Sequence, residues 1–130
     1  MSEFVWQAHY LLGDEAVDHQ HQQLFDLANK LVESKSNPEL IENIMRLYRH
    51  TSDHFKVEED FMKLRGYPAY KNHIETHNMM LDKLVAVSDK IRLQQWQQAD
   101  VLKFMREWIG HILEEDSAVN HYIQSQTNNN

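Results

Sequence analysis

Apolar residues recur at three- and four-residue intervals along most of the chain, and this spacing predicts four long helices. The predicted helices cover 14–36, 38–65, 69–92 and 98–123. Residues 1–13 carry aromatic and aliphatic side chains without a clear period, so we expect an extended arm that packs on the helices, and a polar tail at 125–130. Short connections between four helices predict one all-α domain over 1–130, an up-down-up-down antiparallel four-helix bundle with an N-terminal extended arm.

Local signals mark most of the predicted helix ends. Asp14 and Asn37 are candidate N-caps, and Pro38 suits the first helical turn. Gly66 suits the left-handed position that follows a helix. Residues 93–97 interrupt the apolar pattern without a glycine or proline.

Composition narrows the possible partners and sites. The net charge of −7 without a basic block argues against nucleic acid and anionic membranes as partners. No stretch approaches the roughly 18–20 apolar residues of a membrane span, so we expect no membrane insertion. The absence of cysteine excludes disulfides, iron–sulfur clusters and thiolate zinc sites. No signal peptide is recognisable at the start, so we expect a cytoplasmic protein, and we expect it to be a monomer.

Nine histidines are unusual for 130 residues, and several fall on the apolar helix faces. Glu58 and His73 are equidistant from the predicted turn at 65–66, and so are His54 and His77. The same symmetry holds across the other predicted turns. It places seven side chains at one level of an antiparallel bundle: His21, His54, Glu58, His73, His77, His111 and Asp116.

Five imidazoles and two carboxylates exceed what one metal ion can hold. Calcium and magnesium prefer oxygen ligands, whereas this mixture suits iron and also zinc, copper or manganese. Two ions bridged by Glu58, Asp116 and an oxide or hydroxide use the whole set. One ion then has three histidines and no vacancy, and the other has two histidines and one open position for a small ligand such as dioxygen.

A plainer interpretation exists for each residue taken alone, since a single inward histidine is more often a hydrogen-bonded core residue. The conjunction at one level favours a metal site. His9, His19, His50 and His121 do not fit the layer and are expected at the surface or behind the ligands. His111 and Asp116 lie five apart, about 140° around a regular helix, so a local π-bulge or a long reach is needed to bring both inward.

Several motifs together are similar to those of the hemerythrin family, and in particular of the single-domain bacteriohemerythrins. They are Phe4-x-Trp6, Asp18-His19-Gln20-His21-x-x-Leu24-Phe25, His54-Phe55-x-x-Glu58-Glu59, Gly66-Tyr67-Pro68, His73-x-x-x-His77 and Trp108-x-x-His111-Ile112-x-x-x-Asp116. The resemblance covers nearly the whole chain, and the five-residue separation of His111 and Asp116 is the family's own.

The resemblance implies a non-haem di-iron centre with a bridging oxo or hydroxo group, which binds dioxygen reversibly for transport, storage or delivery and is not an enzyme. It assigns one iron to His73, His77 and His111, the other to His21 and His54, and the bridges to Glu58 and Asp116. It implies an apolar oxygen pocket lined by Leu24, Phe55, Trp108 and Ile112. Any protein that receives the oxygen is unidentified.

Two alternatives remain open. The first is a di-iron enzyme, although di-iron oxygenases usually have carboxylate-rich ligation with Glu-x-x-His pairs, and here histidine dominates. The second is a module that handles or senses a small gas, oxygen or nitric oxide. A sensor is expected to be joined to an output domain, which these 130 residues do not include.

Overall fold

The computed structural model describes residues 3–7, 10 and 14–128, with side chains as far as residue 125. Its four helices are α1 (Glu15–Val32), α2 (Asn37–Leu64), α3 (Tyr70–Arg92) and α4 (Gln98–Asn128). This architecture confirms the predicted all-α four-helix bundle. None of the helices in the described part of the chain is both long and apolar enough to span a membrane.

Contacts between helix ends fix the antiparallel order. The Asn37 side chain at the start of α2 donates to the carbonyl of Ile91 at the end of α3, at 3.2 Å. Tyr122 near the end of α4 donates its hydroxyl to the Gly66 carbonyl in the α2–α3 turn, at 3.2 Å. Helix α2 packs closely against α1 and α3, whereas α4 lies more loosely against α1 and α3.

The buried apolar residues form two clusters of unequal size. The larger cluster fills the half of the bundle that contains the α1–α2 and α3–α4 connections and includes Leu24, Leu31, Ile44, Phe55 and Trp108. The smaller cluster consists of Val17, Phe61, Met62 and Val119 near the other end. Buried polar residues lie between the two clusters in sequence on every helix. The bundle is therefore two dry regions separated by a polar layer.

The first helix starts as predicted, but the cap of the second helix differs. The Val17 N–H donates to the Asp14 carboxylate at 3.0 Å, so Asp14 caps α1. On α2 the cap is Ser36, whose hydroxyl accepts from the Glu39 N–H at 3.3 Å. The prediction of Asn37 as the cap was wrong by one residue, because the Asn37 side chain is engaged by the end of α3 instead.

Two helix ends differ from the predicted bounds. Helix α1 stops at Val32 rather than at 36, and the turn that follows is held by the buried Ser34, whose hydroxyl donates to the Lys30 carbonyl at 3.0 Å. Helix α4 continues to Asn128, so the segment predicted as a polar tail at 125–130 is helical as far as it is described. No glycine or proline follows Gly110 to stop the helix.

The described part of the N-terminal arm lies on α1. The Phe4 backbone N–H donates to the Asn29 side-chain oxygen, and the Asn29 amide donates to the Phe4 carbonyl, both at 2.8 Å. Trp6 packs edge-on against Phe25, with ring centroids 5.3 Å apart. The arm aromatics therefore pack on the bundle as expected, while Leu11 and Leu12 fall outside the described residues.

Two helices end with a residue in the left-handed conformation. Gly66 has φ 69° after α2, as its sequence signal predicts. Gln94 has φ 58° after α3, and the next N–H, of Gln95, donates to the Lys90 carbonyl at 2.9 Å. The interruption at 93–97 is thus the same kind of helix end, made by a residue for which this conformation is unfavourable.

Replacing Gln94 with glycine is expected to raise the free energy of unfolding by up to about 1 kcal/mol, because glycine adopts a positive φ without steric strain. Urea denaturation of the metal-free protein measures the change. Gln95→Gly is the matched control and is expected to destabilise, since no positive φ is present there. Equal effects of the two substitutions would show that strain at Gln94 is not the cause.

Candidate metal centre

Six of the seven predicted ligands meet in the polar layer, and each is at most 5% exposed. Helix α1 supplies one, α2 two, α3 two and α4 one: His21, His54, Glu58, His73, His77 and Asp116. The inward face of each helix is set by its apolar neighbours at helical spacing. The layer therefore follows from the same pattern that builds the core.

Glu58 lies at the centre of the layer. Its Oε1 atom is 3.1 Å from His73 Nε2 and 3.3 Å from His77 Nε2, and its Oε2 atom is 3.2 Å from His54 Nε2. One potential ligand atom from each of Glu58, His73 and His77 lies within 4.8 Å of the other two. These three residues form a group that can hold one cation.

On the opposite side of the layer, His21 faces Asp116. His21 Nε2 is 3.1 Å from Asp116 Oδ2, yet neither atom has a partner in hydrogen-bond geometry among the described residues. Unpaired buried polar atoms are unfavourable in a dry core. The buried Nε2 atom of His54 likewise has no partner in hydrogen-bond geometry among the described residues. Nitrogen and carboxylate oxygens that converge without hydrogen-bonding one another fit cation ligands, so the residues present suit a metal centre.

The pKa values of the two carboxylates of the layer shift in opposite directions. Burial alone would raise the pKa of Glu58, but the imidazole nitrogens of His54, His73 and His77, at 3.1–3.3 Å from its oxygens, hold it well below its ordinary value. Burial, reinforced by the negative charge of Glu58, raises the pKa of Asp116 well above its ordinary value. A cation between the two carboxylates would remove the repulsion that disfavours ionised Asp116.

His21 is held in its neutral form. Burial, and then the proximity of His54, lowers its pKa from 6.5 to about 4, against a smaller opposing effect of Glu58. A neutral imidazole has the free lone pair that metal ligation requires. At neutral pH His21 is therefore in the protonation state of a ligand.

The sequence did not identify the partners on the outer side of the histidines. His77 Nδ1 lies 2.9 Å from Glu59 Oε2, and His73 Nδ1 lies 3.2 Å from Glu115 Oε2. His54 Nδ1 lies 3.4 Å from the side-chain oxygen of Gln20. Each partner directly adjoins a predicted ligand in sequence, which is the one signal that could have singled it out.

The structure does not bring His111 into the layer. His111 is exposed, and it lines a groove of about 470 Å³ between α3 and α4, together with Met80, Lys83 and Trp108. Helix α4 is continuous through this region, without the π-bulge considered from the sequence. Because five residues of regular α-helix turn the side-chain direction by about 140°, burial of Asp116 leaves His111 outside.

The side chains predicted to line an oxygen pocket lie in the larger apolar cluster beside the layer. All four are at most 3% exposed: Leu24, Phe55, Trp108 and Ile112. Phe55 stacks on the His77 ring at 3.7 Å between centroids, and Trp108 donates its indole N–H to the Met80 carbonyl at 3.2 Å. The apolar wall is thus in direct contact with the layer.

The remaining histidines lie apart from the layer wherever they are described. His19 and His121 are exposed. His50 is half-buried behind His54, with its Nε2 atom 2.7 Å from the Gln20 carbonyl oxygen. His9 falls outside the described residues.

Comparison with known proteins identifies the family of the chain. The model of the hemerythrin HHE cation binding domain matches residues 12–122, most of the chain. The chain belongs to the hemerythrin family. The matched region contains the whole layer and leaves out the described part of the arm.

Individual hemerythrin-family proteins match over similar lengths. A bacteriohemerythrin from Clostridium acetobutylicum is 31% identical over 123 residues, which cover 87% of this chain and 95% of the relative. A myohemerythrin from Theromyzon tessulatum is 26% identical, with 84% of each chain covered. The crystal structure of a wild-type hemerythrin superposes with a TM-score of 0.77 at 25% identity, covering 92% of this chain and 96% of that one.

His21 is expected to contribute less to the stability of the metal-free protein as the pH falls from 6.5 towards 4. The pKa of His21 is lower in the folded than in the unfolded chain, so its contribution is fully present above 6.5 and is lost as the unfolded chain takes up the proton. The loss from His21 alone is up to about 3 kcal/mol.

Urea unfolding at a series of pH values measures this dependence. His21→Asn, which does not titrate, should remove that part of the slope, and His19→Asn at an exposed position should leave it unchanged. A His21→Asn protein with the full wild-type slope would contradict the assignment.

Proposed function

We propose that this chain binds dioxygen reversibly at a non-haem di-iron centre and serves in oxygen transport, storage or delivery. The observation that carries the proposal is the buried layer, where histidine nitrogens from three helices face two carboxylates at 3.1–3.3 Å. On one side of the layer, His21 Nε2 and Asp116 Oδ2 face each other without forming a hydrogen bond. Membership of the hemerythrin family supports iron as the cation.

The proposed ligand set is the one expected from the sequence: His73, His77 and His111 on one iron, His21 and His54 on the other, with Glu58 and Asp116 between them and an oxo or hydroxo group completing the bridge. The contacts of Glu58 support its bridging role. One carboxylate oxygen faces His73 and His77, and the other faces His54. Each oxygen of Glu58 thus faces the histidines proposed for a different iron.

The reduced iron pair, when bound, supplies the electrons and the open position that reversible dioxygen binding requires. The contribution of the chain is to keep that position dry. Leu24, Phe55 and Ile112 present only hydrocarbon to the layer, and the indole N–H of Trp108 is occupied by the Met80 carbonyl. A wall without free proton donors would slow irreversible oxidation of the reduced centre and so favours a carrier over an oxidase.

Two iron ions per chain and reversible coloration on oxygen exposure are the expected outcome for the reduced protein. Coloured oxygenated protein should bleach under argon and recover over repeated cycles, because oxygen leaves unchanged. Metal analysis and optical titration in an anaerobic cell measure both. One ion per chain would exclude the di-iron centre, and steady oxygen consumption with release of peroxide or an oxidised substrate would establish an enzyme instead.

Leu24→Ser is expected to speed irreversible oxidation of the iron-loaded protein severalfold, because the hydroxyl admits water and a proton donor beside the layer. Leu31→Ser is the matched control. Both leucines are fully buried in α1, but Leu31 lies about two helical turns farther from the layer than Leu24 does. Stopped-flow and optical decay rates measure the effect, and equal acceleration in both variants would attribute it to general destabilisation.

Ligation by His111 requires the backbone between 111 and 116 to depart from regular α-helix. We therefore expect amide hydrogen exchange in this segment of α4 to differ between the metal-free and iron-loaded protein. In the His111→Ala variant, iron loading should change the amide hydrogen exchange of this segment much less. If wild type and His111→Ala respond alike, His111 is not a ligand.

A further inference from the structure

The two halves of the layer differ in what supports their histidines from behind. Glu59 Oε2 is hydrogen-bonded to His77 Nδ1 at 2.9 Å, and Glu115 Oε2 lies 3.2 Å from His73 Nδ1 without hydrogen-bond geometry. Both carboxylates lie at the edge of the layer, with side chains 20% and 34% exposed.

The other half has no such support in the described structure. His54 Nδ1 faces the neutral amide oxygen of Gln20 at 3.4 Å. His21 Nδ1 is buried and has no hydrogen-bond partner among the described residues. Trp6 covers the His21 ring edge-on at 4.9 Å between centroids, an apolar contact rather than a charged one.

This difference has a direct chemical consequence. A carboxylate accepts but does not donate, so the hydrogen bond between Glu59 and His77 requires a proton on His77 Nδ1 and leaves Nε2 as the nitrogen that could ligate a metal ion. A carboxylate behind an imidazole fixes the ring, selects the tautomer and strengthens the nitrogen as a metal ligand. Gln20 can fix the ring of His54 but brings no negative charge.

The positions of the potential ligand atoms also favour the His73–His77 half as the stronger metal site. Glu58, His73 and His77 already have one potential ligand atom each within 4.8 Å of one another. These three do not depend on His111, so they can bind an ion without a change in α4. The half of the layer with charged support is also the half that is already assembled.

We propose that Glu59 and Glu115 are positioning residues that make the His73–His77 half of the centre take up the first metal ion, and hold it more tightly than the His21–His54 half holds the second. The inference rests on the proposed two-metal function. Glu59 has the larger effect of the two, because it is in hydrogen-bond geometry with its histidine, as Glu115 is not, and because its side chain is less exposed.

The test is an anaerobic titration of the metal-free protein with cobalt(II) alone, followed by its visible absorption. The wild type should bind two ions in two resolved steps. Glu59→Gln keeps a hydrogen-bond acceptor but removes the charge, and should weaken the first step about 10-fold while changing the second less than about twofold. Glu75→Gln removes the same charge from an exposed position between His73 and His77 and should leave both steps unchanged.

The reciprocal substitution is Gln20→Glu, which places a carboxylate behind His54. It should tighten the second step and bring the two affinities closer together, which a merely structural role for Glu59 would not predict. Circular dichroism checks whether each variant folds. If Glu59→Gln does not fold, the titration of Gln20→Glu tests the inference by itself. In the metal-free protein, nitrogen-15 NMR of the His77 ring should show the Nδ1-protonated tautomer in the wild type.

The outcomes separate this inference from the proposed function. Binding of two ions with equal affinities, or titrations of Glu59→Gln and Gln20→Glu indistinguishable from wild type, overturns the inference and leaves the two-metal centre in place. Binding of only one cobalt ion per chain overturns both.

Discussion

The structure depends on how a bundle accommodates four histidines and two carboxylates in a layer closed to solvent. Burying ionised groups is unfavourable unless opposite charge and hydrogen bonds compensate for the lost water. The chain alone achieves this on one side, where three histidines surround Glu58. On the other side His21 and Asp116 face each other without a hydrogen bond, and burial shifts the pKa of each towards its neutral form. A bound cation would compensate the charges and lone pairs that the protein groups leave unpaired.

The layer also explains why the connections must have fixed lengths. Ligand candidates on neighbouring helices are equidistant from the turns that join them, so one inserted or deleted residue next to a helix end would rotate the following face by about 100°. Both the α2–α3 and the α3–α4 turn contain a residue in the left-handed conformation, Gly66 and Gln94. The direction in which the chain leaves α3 towards α4 therefore depends on the unfavourable conformation of Gln94.

Much of this could be predicted from the sequence, because periodicity and turn symmetry are both local or nearly local properties. They yielded the four helices, the antiparallel order and six residues of the layer. What they missed depends on particular side-chain contacts. Asn37 does not cap α2, because its side chain donates to the Ile91 carbonyl instead. Glu59 and Glu115 have no special sequence signal, and only the packing of α3 places them next to His77 and His73. The burial of Asp116 and the exposure of His111 follow from the geometry of a regular helix, whereas ligation by both residues would need a local departure from it.

The position of His111 limits how α4 can complete a seven-ligand centre. Rotating the whole helix would bring His111 inward but would take Trp108, Ile112 and Asp116 out of the core, where all three are now buried. The helix is also held along its length, by the Gln98 side chain on the Val32 carbonyl at 2.6 Å and by Tyr122 on the α2–α3 turn. A rearrangement that satisfies these contacts must therefore be confined to the few residues between His111 and Asp116. The loose packing of α4 against α3, and the groove beside His111, leave room for it there.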